Sequence, residues 1–171
     1  MNKVGMFSRV SFGEWDTVVR SQTDAITEES VIDLYNGVIL PKRATAGSAG
    51  YDFYSPIWCE LHPGESVVIP TGIRCKIDDG WFLAIFPRSG LGFKYFCRLA
   101  NSVGIIDSDY STSDNEGHIM IKIRNESEDK VLTINRGDAI AQGIFLQHGY
   151  TEDDSATGTR NGGFGSTGGA Q

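Results

Sequence analysis

The sequence predicts a mostly β-stranded domain with the architecture of a compact sandwich or barrel. Six short segments are rich in valine, isoleucine and phenylalanine, and residues that favour turns separate them, which is typical of such folds. Helical patterns are confined to two short stretches, and no internal repeat or domain linker is found before the C-terminal tail. A chain of 171 residues with 40% hydrophobic residues is long and apolar enough for one domain with a real core.

Near the N-terminus the sequence predicts one short amphipathic helix within Asp24–Gly37. Thr27 precedes two glutamates and is a good N-cap, and Gly37 is a good terminator. The apolar stripe between them consists of Val31, Leu34, Tyr35 and Val38. This helix belongs to an N-terminal elaboration of the domain that covers about residues 1–40.

The predicted strands follow this helix in the chain. They are Glu65–Pro70, Thr71–Ile77, Trp81–Phe86, Ile119–Arg124, Lys130–Ile134 and Ala139–Leu146. The strongest turn sequences between them are Pro63-Gly64, Asp79-Gly80 and Arg136-Gly137-Asp138. A second short helical turn is expected to begin at Ser89, although two glycines that follow weaken it.

The C-terminus carries the densest run of glycine in the chain. Glycine loses the most backbone entropy on ordering and buries no side chain, so a mobile tail is the simplest interpretation. The side chains that stand among these glycines are Arg160, Phe164, Ser166 and Thr167. A guanidinium, an aromatic ring and two hydroxyls can clamp phosphates and cover a flat ring. We therefore expect a domain over residues 1–156 and a flexible lid over residues 157–171.

The composition limits the classes of partner and the compartment. A formal net charge of −7 argues against a general nucleic-acid binder, which would show a basic face. Three cysteines without a CxxC spacing indicate reduced, buried thiols. The sequence shows neither a signal peptide nor an apolar run of membrane-spanning length. These features predict a soluble cytoplasmic protein, or one inside a host cell if the gene is viral.

Two polar segments before residue 93 contain candidate binding groups. In the first, small residues precede Asp52, which either faces a cavity from the start of a strand or is a strand-end turn residue. In the second, Arg88, Ser89 and Gly90 follow an apolar strand. A guanidinium, a hydroxyl and free backbone N–H groups at a helix start form an anion site.

Two further segments contain groups suited to catalysis and base recognition. Asp107 follows an apolar pair and could act as a general base, with Asn101 reading a base edge and Tyr110 offering a stacking surface. An ordinary hairpin with Asp and Asn in its turns would give the same pattern. Gln142 is an uncharged amide among apolar neighbours, and a ligand is one of its candidate partners.

The order of these segments resembles that of the trimeric deoxyuridine triphosphatases, the dUTPase family. Five motifs of that family match across Ala44–Gly168, namely ATAGSAGYDF, PRSGLG, NSVGIIDSDY, RGDAIAQ and RNGGFGSTG. Each is degenerate alone, but five in the right order are very unlikely to agree by chance.

The resemblance implies an all-β fold, a compact β-barrel or jelly-roll-like (β-clip) domain with one or two short helices. It also implies a homotrimer in which each active site takes motifs from all three chains. The implied reaction is the hydrolysis of dUTP to dUMP and pyrophosphate by attack of water on the α-phosphorus, with Mg²⁺. Such a reaction limits uracil in DNA and supplies dUMP for thymidylate synthesis.

The resemblance also implies a role for each residue at the nucleoside. Asp107 matches the carboxylate that orients and deprotonates the attacking water. Asn101 matches the residue that reads the uracil edge, together with main-chain groups of the same hairpin at Gly104 and Ile106. Tyr110 matches the ring that packs against deoxyribose and leaves no room for a 2′-hydroxyl.

The phosphate residues follow from the same resemblance. Arg88, Ser89 and Gly90 match the phosphate-binding segment, and Gln142 matches an amide that contacts the phosphates. Asp52 matches a carboxylate that holds Mg²⁺ through water, while triphosphate oxygens and water coordinate the ion itself.

On the tail, the resemblance assigns Arg160 to the γ-phosphate and Phe164 to the ring that covers uracil. Gly165, Ser166 and Thr167 complete the residues that contact the substrate.

Three features depart from the family pattern: the Ser111–Glu116 insertion, an N-terminal segment longer than a minimal member needs, and the spacing of Arg160 and Phe164, which is one residue shorter than in some members. The insertion follows Tyr110 and could form a loop at the rim of the sugar pocket, but we expect a solvated turn. The three histidines, His62, His118 and His148, have no metal-ligand spacing and are assigned surface or structural roles.

Two other functions remain open at this stage. A related dCTP deaminase shares the phosphate clamp, although its chemistry needs a glutamate to activate water against the pyrimidine ring. A nucleotide-responsive regulatory module on the same fold, with an unknown protein partner, is the other. Ammonia release from dCTP would favour the first, and capture of a partner that depends on dUTP would favour the second.

Overall fold

The computed structural model describes residues 2–23 and 26–160. Within these ranges the chain forms eleven β-strands, three α-helices and one 3₁₀ helix. The strands are β1 (Gly5–Arg9), β2 (Tyr51–Tyr54), β3 (Cys59–Leu61), β4 (Ser66–Pro70), β5 (Ile73–Ile77), β6 (Trp81–Pro87), β7 (Arg98–Leu99), β8 (Gly104–Ile106), β9 (Met120–Arg124), β10 (Leu132–Ile134) and β11 (Ala139–Gln147). The helices are α1 (Phe12–Gln22), α2 (Glu28–Asn36), α3 (Ser89–Tyr95) and the 3₁₀ helix Ser108–Thr112.

The six strands predicted from the sequence are confirmed as β4, β5, β6, β9, β10 and β11, with ends that differ by at most two residues. The strands that the pattern did not predict include β3, β7 and β8, which have three, two and three residues. So short a strand cannot display a period of two, which is the main sign of a strand in a sequence. Their conformation is instead fixed by pairing with longer neighbours.

The strands associate into four antiparallel sheets rather than a closed barrel in the described part of the chain. The largest has the strand order β2-β11-β6-β8, and a three-stranded sheet has the order β4-β9-β7. Two pairs complete the arrangement, β1 with β5 and β3 with β10. The expectation of a mostly β, jelly-roll-like fold is confirmed.

The core lies between these sheets because alternate strand residues point inward. In β9 the alternation is complete: Ile121 and Ile123 are buried while Lys122 and Arg124 are exposed. The other large side chains that are fully buried include Trp15, Phe53, Ile69, Ile73, Leu83, Ile119, Leu132, Ile134 and Ile140. Burial of each such side chain contributes about 1.5–3 kcal/mol to folding.

The helix count is a correction to the sequence prediction, which allowed one or two helices. The predicted N-terminal helix is present as α2, with Thr27 as its N-cap and Gly37 as its C-cap, and α3 begins at Ser89 as expected. The helix α1 was not predicted. Its N-cap is Ser11, whose hydroxyl accepts a hydrogen bond from the Glu14 N–H. No helix in residues 2–23 and 26–160 is long and apolar enough to cross a membrane.

The three cysteines are free thiols. Cys75 and Cys97 are buried, and burial raises the pKa of Cys75 to about 12 and that of Cys97 to about 11. Thiols with such pKa values are protonated and unreactive at neutral pH. The prediction that they behave as small hydrophobic residues is confirmed for these two.

Candidate active site

The four-stranded sheet brings the four polar segments onto neighbouring strands. On one side of β11, Gln142 lies opposite Asp52 of β2, and on its other side Ala141 lies opposite Pro87 of β6. The far edge of β6 pairs with β8, where Ile85 lies opposite Gly104. Segments that are up to 90 positions apart in the sequence (142 − 52) therefore become neighbours through strand pairing alone.

At one end of the sheet lies a polar group that we call the Arg88 cluster. Its members are Asp52, Arg88, Ser89, Gly90 and Gln142. Arg88 Nε lies 3.5 Å from Asp52 Oδ1. The Gln142 side-chain amide donates a hydrogen bond to the Pro87 carbonyl over 3.3 Å. Arg88 is 40% exposed and Asp52 only 15%, so the cluster presents a cation above a mostly buried carboxylate.

Two glycines lie at the Arg88 cluster. A Cβ atom at Gly50 would come within 2.6 Å of Gln142 Oε1, so a larger residue there would displace the Gln142 amide. A Cβ at Gly90, by contrast, would meet nothing within 4 Å. The start of α3 is therefore unobstructed next to Arg88, as an anion site requires.

The second site is a cavity of about 420 Å³ beside β8. Among the predicted site residues, those that line it are Asn101, Gly104, Ile106, Tyr110 and Arg160. Its other walls are mostly aliphatic side chains of β6, β8 and β9, such as Ile85, Ile105 and Ile121. A largely apolar cavity of this volume with a few polar groups is of the size that small ligands occupy.

A tight turn before β8 shapes one wall of this cavity. Ser102 adopts a positive φ of 64°, and Val103 N–H donates to the Asn101 carbonyl over 2.7 Å. At Gly104 a Cβ atom would lie 3.2 Å from Ile85 Cβ and 3.7 Å from Asn101 Nδ2. The glycine therefore lets the turn pack closely on β6 and keeps the Asn101 amide at the cavity wall.

Tyr110 also lines the cavity and is only 5% exposed. Its hydroxyl donates to the His118 carbonyl over 2.9 Å and accepts from Asn115 Nδ2 over 2.9 Å. Burial raises the pKa of Tyr110, so the phenol stays protonated and keeps both bonds. The ring is held by its hydroxyl end while it lines the cavity.

Asp107 lies next to this cavity, at the N-terminus of the 3₁₀ helix, and its side chain is 44% exposed. The Arg160 guanidinium forms an ion pair with Asp107 and donates through Nε to Asp109 Oδ1 over 2.8 Å. The same guanidinium lies 6.0 Å from the centre of the Tyr110 ring. One tail residue thus contacts the predicted base and the predicted sugar-binding ring of its own chain.

The Arg88 cluster and the cavity do not merge within one chain. None of the five cluster residues lines the cavity. Four of the predicted tail residues, Phe164, Gly165, Ser166 and Thr167, lie outside the described residues. The structure therefore brings together the predicted nucleoside residues with Arg160, and separately groups the predicted phosphate residues with Asp52.

A metal site made of protein ligands alone does not occur in the described ranges: no group of three or more His, Cys, Asp and Glu side chains could hold an ion there. Asp52 is paired with Arg88 rather than with other carboxylates. Such a lone carboxylate fits the contact through water that Mg²⁺ tolerates when phosphate oxygens supply its other ligands.

The interpretation of Ser111–Glu116 as a solvated turn holds only in part, because Thr112 and Asp114 are exposed while other residues of the segment are packed. Ser113 is buried, Asn115 binds the Tyr110 hydroxyl, and the Glu116 carboxylate accepts from Ser11 N–H over 2.8 Å. His118, just after the insertion, is fully buried and has the predicted structural role. No pattern in the sequence predicts this arrangement, because the contacts of Glu116 and His118 join them to a loop and a helix far away in the chain.

His118 connects the insertion to the N-terminal helix. Its Nε2 accepts from Gly72 N–H over 2.9 Å, so the proton is on Nδ1, which lies 3.2 Å from Glu14 Oε1. Burial lowers the pKa of His118 to about 4 and raises that of Glu14. The imidazole is therefore neutral near pH 7 and donates to Glu14.

The fold and the two sites define a mostly β protein with a cavity of small-ligand size and a separate, arginine-bearing polar cluster. The dUTPase family model matches residues 36–168, and the chain belongs to this family. The match includes all five motifs and leaves out β1, α1 and nearly all of α2.

Curated relatives resemble most of the chain. The deoxyuridine 5′-triphosphate nucleotidohydrolase of Lactococcus lactis is 39% identical over 135 residues, which are 77% of this chain and 89% of the relative. The protein of the same name from Escherichia coli is 42% identical over 137 residues, which are 75% of this chain and 87% of the relative.

Solved structures agree with this family membership. The dUTPase from Streptococcus mutans aligns with a TM-score of 0.63 at 31% identity and covers 85% of this chain and 98% of its own. The dUTPase of phage phi11 of Staphylococcus aureus aligns with a TM-score of 0.60 over 72% of this chain and 92% of its own. At 24% identity, this second likeness concerns the fold alone.

Proposed function

We propose that the protein hydrolyses dUTP to dUMP and pyrophosphate, with Asp107 as the general base. The observation that carries the proposal is the cavity walled by Asn101, Gly104 and Tyr110, with Asp107 beside it, in a chain of the dUTPase family. The relatives from Lactococcus lactis and Escherichia coli carry the name of this activity.

The cavity accounts for selection of the nucleoside in this proposal. The Asn101 amide and main-chain groups at Gly104 and Ile106 hydrogen-bond the uracil edge, where a cytosine would present an amino donor in place of a carbonyl acceptor. The Tyr110 ring lies against the deoxyribose. A 2′-hydroxyl would collide with the ring, so UTP is rejected by a steric clash.

The half-exposed Asp107 carboxylate positions and deprotonates the attacking water in this mechanism. The water oxygen forms a bond to the α-phosphorus, the bond from that phosphorus to the bridging oxygen breaks, and pyrophosphate leaves. The water proton passes to Asp107. Arg160 pairs with Asp107 in this structure. Movement of the Arg160 guanidinium to the γ-phosphate would release the Asp107 carboxylate for this role.

The triphosphate binds the Arg88 cluster in this proposal. Arg88 supplies a guanidinium, Ser89 a hydroxyl, and Gly90 an unobstructed backbone at the start of α3, while Gln142 contributes its amide. From the tail, Arg160 binds the γ-phosphate with Ser166 and Thr167, and Phe164 covers the uracil beside Gly165. Residues 157–171 thereby act as a lid.

Mg²⁺ would bind through the triphosphate oxygens and water, with Asp52 as a contact through water. When bound, the ion neutralises charge on the leaving pyrophosphate. The low exposure of Asp52 and its pairing with Arg88 suit a carboxylate that orients water rather than one that ligates the ion directly.

A complete site requires more than one chain. Because the Arg88 cluster does not line the cavity of its own chain, we propose a homotrimer in which the cavity of one subunit faces the cluster of a second. The tail of the third then closes the site. Each subunit would contribute to three sites, as three-fold symmetry allows.

Measurement of pyrophosphate release from dUTP, dTTP, dCTP and UTP tests this function. We expect dUTP to be consumed in strong preference to the others and to yield equal amounts of dUMP and pyrophosphate. Ammonia release from dCTP would instead show a deaminase. Binding of dUTP without turnover, in the presence of Mg²⁺, would show a regulatory module and would equally contradict the proposal.

A further inference from the structure

The Tyr110 hydroxyl is fixed by the segment that departs from the family pattern. Both of its hydrogen bonds go to residues in or directly after the Ser111–Glu116 insertion, namely Asn115 and His118. The ring itself lines the cavity. The position of this cavity wall therefore depends on a part of the chain that touches no predicted substrate atom.

The orientation of the Asn115 amide is determined by its surroundings. Its Oδ1 accepts from Gly117 N–H over 3.2 Å, which turns Nδ2 toward the Tyr110 oxygen. Its carbonyl accepts from His118 N–H over 2.9 Å. Because Tyr110 donates its only proton to the His118 carbonyl, the hydroxyl can take Asn115 only as a donor.

The backbone around Asn115 is tightly packed. Glu116 and Gly117 both have positive φ values, 56° and 73°. A Cβ atom at Gly117 would come within 2.7 Å of the Tyr110 carbonyl oxygen and the Ser111 Cα. The loop thus folds back directly onto the residue that it holds.

Contacts from the N-terminal elaboration and from β5 hold the loop from the other side. Ser11 N–H donates to the Glu116 carboxylate, and Arg74 lies 3.6 Å from the same carboxylate. Arg74 also donates to the Ser111 carbonyl. These contacts leave the loop little freedom to move away from Tyr110.

We propose that Asn115 is a positioning residue that fixes the Tyr110 ring and thereby sets the discrimination between 2′-deoxyribose and ribose. The inference rests on the proposed function, because it assigns Tyr110 to the sugar. A steric clash with the Tyr110 ring excludes a 2′-hydroxyl only if the ring cannot move away, since the repulsion falls off within a few tenths of an ångström. Loss of the Asn115 bond gives the ring that freedom.

The test compares kcat/KM for dUTP and UTP in the full chain. We expect Asn115→Ala to lower the dUTP-to-UTP preference about tenfold, the net worth of one hydrogen bond, mostly through faster turnover of UTP. The matched control is Asn36→Ala, an exposed asparagine at the end of α2, which should keep the wild-type preference. An unchanged preference in folded Asn115→Ala protein would overturn the inference.

A double-mutant cycle shows whether Asn115 acts through the hydroxyl. Tyr110→Phe keeps the ring and removes both hydroxyl bonds, and it also serves if Asn115→Ala does not fold. The double variant should show the same preference as Tyr110→Phe alone. Additive losses would mean that Asn115 acts by another route, and an unchanged preference in Tyr110→Phe would contradict the inference directly.

The same measurements separate this inference from the function on which it rests. Wild-type protein that does not hydrolyse dUTP contradicts the proposed function. The preference is then measured by calorimetry as the ratio of affinities for dUMP and UMP. Equal wild-type affinities would overturn the inference as well, whereas a deoxy preference that falls in Asn115→Ala would support it without turnover.

Discussion

Asp107 combines partial exposure with an ion pair to Arg160, and these two features suit a base that is released when substrate binds. We expect Asp107→Asn to bind dUTP while hydrolysis falls about 10²–10⁴-fold or more, as is typical when a general base is removed. Single-turnover hydrolysis and calorimetric binding of dUTP measure the two effects. The matched control is Asp129→Asn, in an exposed turn between β9 and β10. Near-normal turnover of Asp107→Asn would disprove the assignment.

His118 makes the stability of the protein depend on pH. The folded protein protonates this residue only near pH 4, whereas the unfolded chain does so near 6.5. Its contribution to stability is therefore complete above pH 6.5 and is lost as the pH falls toward 4. Between about pH 7.5 and 5.5 the loss from this group is on the order of 1 kcal/mol.

Thermal unfolding at these two pH values checks the prediction. The melting temperature should fall by a few degrees on acidification, and His118→Gln should reduce that difference because the titrating group is gone. His62→Gln removes a histidine whose side chain is 61% exposed and should keep the wild-type difference. The approach of Glu14 and Glu116 to His118 does not reverse the sign, because burial is the larger effect.

For single residues, the sequence predicted which side chains form the candidate site better than it predicted their hydrogen-bond partners. Asp107, Asn101 and Tyr110 stood out because their segment is one of five whose order resembles that of the dUTPase family, whereas on its own it also fits an ordinary hairpin. The partners of Tyr110 could not be predicted, since Asn115 and His118 belong to no periodic pattern. Their bonds depend on two successive residues with positive φ, one of which is Glu116, a residue type that rarely adopts it.

Among the elements, strands whose own residues alternate or form an apolar run were predictable from the sequence. Short strands whose conformation is fixed by pairing with a longer neighbour were not. The alternation of β9 and the apolar run of β6 are visible in the sequence. In α1 the Ser11 to Glu14 spacing is a capping sequence, but Gly13 and β-branched residues later in the helix obscured it. Burial of Trp15 against the core stabilises this helix in spite of its weak propensity.

The tail is the element with the sharpest functional prediction. Truncation after Gly158 removes Arg160 and the remaining lid, but none of the core residues. We expect the truncated protein to keep its melting temperature and assembly while kcat/KM for dUTP falls by at least about 10²-fold, because the guanidinium proposed to bind the γ-phosphate and the ring proposed to cover the uracil are lost. Unchanged catalytic efficiency would rule out the tail as a lid.

At the scale of the whole molecule, the separation of the Arg88 cluster from the cavity predicts complementation between subunits. Asp107→Asn damages the cavity side of a site, and Arg88→Ala damages the cluster side. Each variant alone should be inactive. Trimers formed by co-expression in equal amounts should recover about a quarter of wild-type activity, because one site in four pairs two intact halves.

Sedimentation of the wild-type protein should give the mass of three chains. The control for the mixing experiment is the two variants purified separately and combined without subunit exchange, which should remain inactive. Recovery of no activity in co-expressed trimers would place both halves of the site in one chain and contradict the shared arrangement.

The position of β11 has a consequence for how the protein forms. It is the last strand of the described chain, yet it lies inside the four-stranded sheet, between β2 and β6. During synthesis the sheet cannot close until residues 139–147 have left the ribosome. A nascent chain therefore holds Asp52 and Arg88 without Gln142 between them. Pairings across such distances along the chain make folding slow, typically milliseconds to seconds, so the Arg88 cluster is assembled late, by the final strand.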